Sequence, residues 1–209
     1  MSDKPTKFDI RSTWLRSIAF VVGFSVMTVE LISGRFMAPY LGSSLYTWTA
    51  VLMAILSAVA IGSYIGGNLA RHTTFIARAW VWLMLSAGLI SLVTFVAMKP
   101  LGGLVQMSHW PIIILTLVFS FLIFFPPALT LAVLMPLLVK TDVQAIELSG
   151  SRFGSLAAWN AAGSILGTYM TGFFFISYLH TQQVILLLVA VLVLTSLGDL
   201  FFKTKPRAL

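Results

Sequence analysis

The run WPIIILTLVFSFLIFFPPALTLAVLMPLLV, Trp110–Val139, decides the fold class of this chain. It carries no charged side chain. Helical throughout, it is about 45 Å long at about 1.5 Å per residue, against about 30 Å for the hydrocarbon core of a bilayer. It offers no polar face to water, so hydrocarbon is its natural solvent. Pro126, Pro127 and Pro136 interrupt it. Either one tilted helix kinks at the proline pair, or a span ends there and a shorter piece follows.

Working outward, the chain shows five further apolar runs. They cover 14–37, 46–70, 79–98, 153–176 and 182–202. Pro39 and Gly42 are expected to end the first, with Ser43 or Ser44 capping the second. Residues 99–109 contain Pro100, Gly102 and Gly103 and read as a loop. Residues 71–78 form a short basic loop, and 140–152 is the most polar internal stretch. A tight turn is expected at 178–181. Residues 1–13 form a polar N-terminal tail and 203–209 a basic C-terminal one.

Composition agrees with a lipid environment. Of 209 residues 59% are hydrophobic and 9% charged, where a soluble domain carries about 25% charged residues. The first apolar run is too long for a cleaved leader and lacks a small-residue cleavage site. The net charge of +7 is explained by topology rather than by nucleic acid. With six spans and the N-terminus inside, eleven Lys and Arg lie on the cytoplasmic side, and only Arg35 and Lys99 lie outside. That is the positive-inside pattern. Splitting the Trp110–Val139 run would move Lys203, Lys205 and Arg207 outside, so one kinked helix is the better reading. The expectation is an all-α, multi-pass protein of the inner membrane, with both ends in the cytoplasm.

Few residues can carry chemistry. Cysteine is absent, which excludes disulfides and thiolate metal sites. His72, His109 and His180 are far apart and show no metal-ligand spacing. Glu30 and Arg35 are the charges set well inside an apolar run. A carboxylate at mid-helix costs roughly 2.5–3.5 kcal/mol on insertion scales, so Glu30 is the leading candidate. Five residues apart, it and Arg35 are off the i+3 and i+4 spacings that pair on a helix. Arg35 is expected to snorkel to headgroups, and Asn160 is a plausible partner for Glu30. Asn160 itself reads first as a hydrogen bond between helices.

Small residues form stripes. Ala54, Ala58, Gly62, Gly66 and Ala70 recur every fourth position, Gly163 and Gly167 make a GxxxG pair, and Gly150, Gly154, Ala158 and Ala162 form a neighbouring row. Such stripes let helix backbones approach closely, within one subunit or between two.

Three stretches together resemble a known family: ELISGRFMAPYLGSSLYTW (Glu30–Trp48), GSYIGGNLAR (Gly62–Arg71) and AWNAAGSILG (Ala158–Gly167). The pattern is similar to the membrane domain of membrane-bound spermidine synthase-like proteins, fusions of a six-helix half of a major-facilitator fold with an aminopropyltransferase domain. Tyr40 and Trp48 in the first stretch join Glu30, Arg35 and Asn160 as ligand-binding candidates. The resemblance implies a soluble partner domain using a decarboxylated S-adenosylmethionine-type cofactor. No glycine-rich nucleotide loop follows a strand here, and the chain holds six acids in all. It is therefore expected to be the membrane half alone, without catalytic residues, metal or cofactor. Ala70 stands where major-facilitator loops carry an acid before the arginine, which argues against transporter-style gating by Gly66–Arg71.

Two functions follow as expectations. One is transport or substrate binding, of cations or polyamines, with two copies pairing through the second and fifth helices around Glu30. The other is a scaffold that anchors a soluble aminopropyltransferase- or methyltransferase-like enzyme through 140–152 and the basic tail. A lipid-modifying enzyme would need an acid/base pair or a metal at the interface, and neither is evident in the sequence.

Overall fold

A computed structural model of the chain describes residues 10–72, 76–142 and 149–202. The tails at 1–9 and 203–209 and the polar segment 143–148 lie outside the described residues, as do the side chains of Arg11, His72, Arg78 and Asp199. Six helices follow one another: α1 (Ile10–Leu41), α2 (Leu45–His72), α3 (Ile76–Met107), α4 (Ile112–Asp142), α5 and α6 (Thr181–Phe202). Helix α5 runs as Ser149–Tyr169, passes through a π-helical segment at Met170–Phe175, and closes with a turn at Ile176–Tyr178. No strand occurs among the described residues. Among the described residues, five helices are long and apolar enough to cross a membrane: Ser12–Leu41, Leu45–Arg71, Trp80–Met107, Ile112–Asp142 and Thr181–Gly198. Helix α5, diluted by Gly, Ser and Asn, is not among them. It nevertheless lies along α1 from Ser12, bonded to Arg152, to Arg35, bonded to the Ile176 carbonyl. It therefore crosses the same thickness as α1.

The prolines do not end helices where the sequence suggested. Pro39 lies inside α1, and α3 continues through Pro100, Gly102 and Gly103 to Met107, so the expected loop at 99–109 shrinks to its last two residues. Helix α4, by contrast, is one helix through Pro126, Pro127 and Pro136, the reading preferred from the sequence. A proline in a helix interior costs about 3 kcal/mol through one lost bond and a clash. Stopping a helix in hydrocarbon strands up to four donors or acceptors, at several kcal/mol each. Continuing is cheaper. Gly42 does end α1, at φ 74°, with its N–H returned to the Ala38 carbonyl at 3.0 Å. Ser44 caps α2, accepting the Thr47 N–H at 3.2 Å. The polar segment after α4 is also shorter than expected, because Lys140–Asp142 and Ser149–Arg152 are helical.

Successive helices alternate in direction. Side chains of α1 meet α4 in opposite sense, Met37 near the start of α4 through Ser120. By contrast α1 and α5 run parallel: Ala19 meets Asn160, Phe24 meets Gly167, and Thr28 meets Thr171. Helices α2 and α4 are also parallel, with Gly62 on Leu129 and Gly66 on Val133. Helix α3 crosses α6 antiparallel, Ser196 donating to the Val81 carbonyl at 3.1 Å. Both ends of the helical chain fall at one end of the bundle, where the Trp14 ring lies over Gly198.

These pairings share a rule. Dividing the chain into α1–α3 and α4–α6, the second helix of each triplet packs parallel to the first helix of the other, α2 on α4 and α5 on α1. Those are the two most extensive helix contacts. Both use a GxxxG pair, Gly62/Gly66 and Gly163/Gly167, pressed onto main chain. The triplets run in opposite directions, because α1 and α4 are antiparallel. The two GxxxG pairs are therefore occupied within one chain, and a dimer through these four glycines would have to displace α1 and α4.

Candidate functional site

Glu30 sits half-buried on α1. Among the described residues its carboxyl has no hydrogen-bond or ion-pair partner; only its main-chain carbonyl is engaged, by the Ser33 hydroxyl. Gly34, one turn on, faces the Trp48 ring of α2, 3.3 Å from where a Cβ would stand. Side chains four apart share a helix face, so Glu30 looks toward the side of the bundle where α2 begins. On the α5 side, Thr28 donates to the Phe24 carbonyl at 2.8 Å and accepts from the buried Thr171 hydroxyl at 3.1 Å. Thr171 belongs to the π segment Met170–Phe175, which thus lies level with Glu30. Local π geometry in a long helix is rare and recurs at functional sites. One turn earlier on α1, the Ser25 hydroxyl is fully buried and has no hydrogen-bond partner among the described residues.

Asn160 does not reach Glu30. Its amide donates to the Ala19 carbonyl at 3.0 Å, eleven positions earlier on α1 and about 16 Å away along the axis. The parallel register of α1 and α5 sets that separation. Asn160 thus ties the two helices, with the Trp159 ring packed edge-on against Phe20 at 6.4 Å.

Arg35 does not simply extend to the surface as the snorkelling expectation had it. Its Nη1 donates to the Ile176 and Leu179 carbonyls, at the C-terminal end of α5. Carbonyls there lack intrahelical donors and carry the negative end of the helix dipole. At the opposite end of the bundle, the Lys140 ammonium on α4 donates to the Ala70 carbonyl near the end of α2. Each triplet's first helix therefore ends in a cation that caps the second helix of the other triplet. The arrangement repeats the glycine contacts in polar form.

That second end also holds the one ion pair among the described residues, Asp142 with Arg152 at 3.3 Å. Arg152 donates to Ser12 as well, at 3.1 Å. Lys140 and Arg152, expected as a docking surface for a soluble partner, are engaged within the chain.

Tyr40 lies flat on Gly102, where a Cβ would overlap its ring, and tilts against Phe119 at 6.0 Å. With Arg35 it lines a basin at the end of the bundle opposite the chain ends. A second, small apolar void of about 30 Å³ lies beneath it and shares Phe36, Phe95 and Met98 as walls. Glu30 lines neither cavity. Of the five ligand-binding candidates, then, the structure groups Arg35 with Tyr40, sets Glu30 on the face of Trp48, and leaves Asn160 in a helix seam. The basin was missed in the sequence reading. Its trace was there: Arg35 and Lys99 are the two cations on the wrong side by the positive-inside count. No protein family, no curated protein and no solved structure matches the chain.

Proposed function

We propose that this chain is a membrane-embedded transport or substrate-binding module of the inner membrane, with both ends in the cytoplasm. The observation that carries the reading is the exchange between triplets. Two three-helix units of opposite direction interleave through matching GxxxG seams and matching cationic caps. Inverted repeats of this kind are the architecture on which alternating-access carriers are built, with sites near the midplane where the repeats meet. Glu30 supplies the charge such a site needs. It stands deep in a span, level with the π segment, without a partner among the described residues.

In this reading Glu30 binds a cation or relays a proton, and polyamines are the cation class the family resemblance implies. A second copy packs against the bundle along the outward row Gly150, Gly154 and Ala158 of α5, where a Cβ on either glycine would meet nothing within 4 Å. In proteoliposomes the protein is expected to take up labelled spermidine, or to drive proton flux seen by an internal pH dye. Glu30→Gln is expected to abolish both. Uptake unchanged by that substitution overturns the proposal.

A further inference from the structure

The basin beside Arg35 has a volume of about 330 Å³, at the small end of ligand pockets, which span about 300–1,000 Å³. Its polar lining is Arg35, Tyr40, Lys99, His180, Thr181 and Gln182. No acidic residue lines it. Two permanent cations thus face one cavity with no counter-charge. Arg35 is held by its two carbonyl bonds, which use Nη1 and leave the rest of the guanidinium fork available. The Lys99 ammonium has no hydrogen-bond or ion-pair partner among the described residues. A guanidinium fork pairs bidentately with phosphate or carboxylate, and an ammonium adds a point charge. The start of α6 also opens here through Thr181 and Gln182, adding the favourable end of a helix dipole for negative charge.

We propose that this basin is an anion site, taking a phosphate or carboxylate group between Arg35 and Lys99. Occupancy supplies the counter-charge the cavity lacks. It also gives a reason for the two cations that depart from the positive-inside pattern. The source is either a lipid headgroup at the membrane surface or a free anion entering from that side. The site is separate from Glu30, so Glu30→Gln leaves it intact, and its failure and the failure of the transport reading are distinguishable.

The test is calorimetric titration of the purified protein in an uncharged maltoside detergent. The probes are inorganic phosphate, succinate and short-chain phosphatidylglycerol, with the matching phosphatidylcholine as control. Saturable binding of phosphate or succinate assigns a free anion. Saturation by phosphatidylglycerol alone assigns a headgroup. Lys99→Gln, at an exposed position, is expected to weaken binding about tenfold, the effect of one charge-assisted bond. Gln182→Glu puts a carboxylate into the basin at a place in the first turn of α6 where an acid suits the helix, so it is expected to remove binding while keeping the thermal unfolding midpoint. Absence of binding by every anionic probe overturns the proposal. So does binding that survives both substitutions at wild-type strength.

Discussion

Replacing Gly163 by alanine tests the α1–α5 seam most directly. A Cβ on Gly163 would overlap the carbonyl oxygen of Phe20, with the Phe20 carbonyl carbon only 2.7 Å away. The obstacle is main chain, so no rotamer change can yield. The two helices must separate, and separation loosens the Asn160–Ala19 bond and the Phe20–Trp159 contact as well. Overpacking of a tight interior costs about 1–3 kcal/mol. The loosened hydrogen bond adds about 1 kcal/mol, so a loss near the top of that range or beyond it is expected. Gly167 offers an internal scale. A Cβ there meets the Phe24 oxygen at 2.6 Å, so Gly167→Ala should cost less than Gly163→Ala. A Cβ on Gly150 meets nothing within 4 Å. Gly150→Ala should therefore be neutral, or stabilising by up to about 1 kcal/mol from helix propensity. Unfolding in mixed micelles, followed by circular dichroism, gives all three values. A ranking in which Gly163→Ala is no worse than Gly150→Ala would refute the packing described for this seam.

Two further experiments follow beside those for Glu30 and Lys99. Arg35→Gln and Lys140→Gln remove equivalent caps from α5 and α2, and each should lower stability by about 1–2 kcal/mol in the same unfolding assay; loss from one and none from the other would break the correspondence between triplets. The chain has no cysteine, so single-cysteine labelling is clean. Gly103 and Gly150 have room for a side chain at opposite ends of the bundle, and a membrane-impermeant maleimide should label Gly103→Cys in intact cells but Gly150→Cys only after permeabilisation. Labelling of both from one side contradicts the span count.

The site divides differently from the fold. Glu30 was legible because an acid inside an apolar run stands out against its neighbours. The basin was not, because its walls come from α1, α3 and the α5–α6 turn, and nothing local marks Lys99 or His180 as facing Arg35. Asn160 was recognisable as interhelical glue, yet its partner depended on register. A parallel α1–α5 pair aligned on Ala19 puts Glu30 several turns away.

Hydropathy alone determines that this is a multi-pass helical protein and the order of its helices, since transfer of apolar side chains to hydrocarbon is local and additive. Spacing alone marks the small-residue stripes. Only the tertiary structure decides which backbone fills each stripe, that α2 goes to α4 and α5 to α1. It also carries helices through Pro39 and Pro100, because breaking a helix in lipid strands more hydrogen-bonding groups than a proline removes. Which cations meet across the bundle depends on how far one helix slides along another, and residue type does not encode that slide locally.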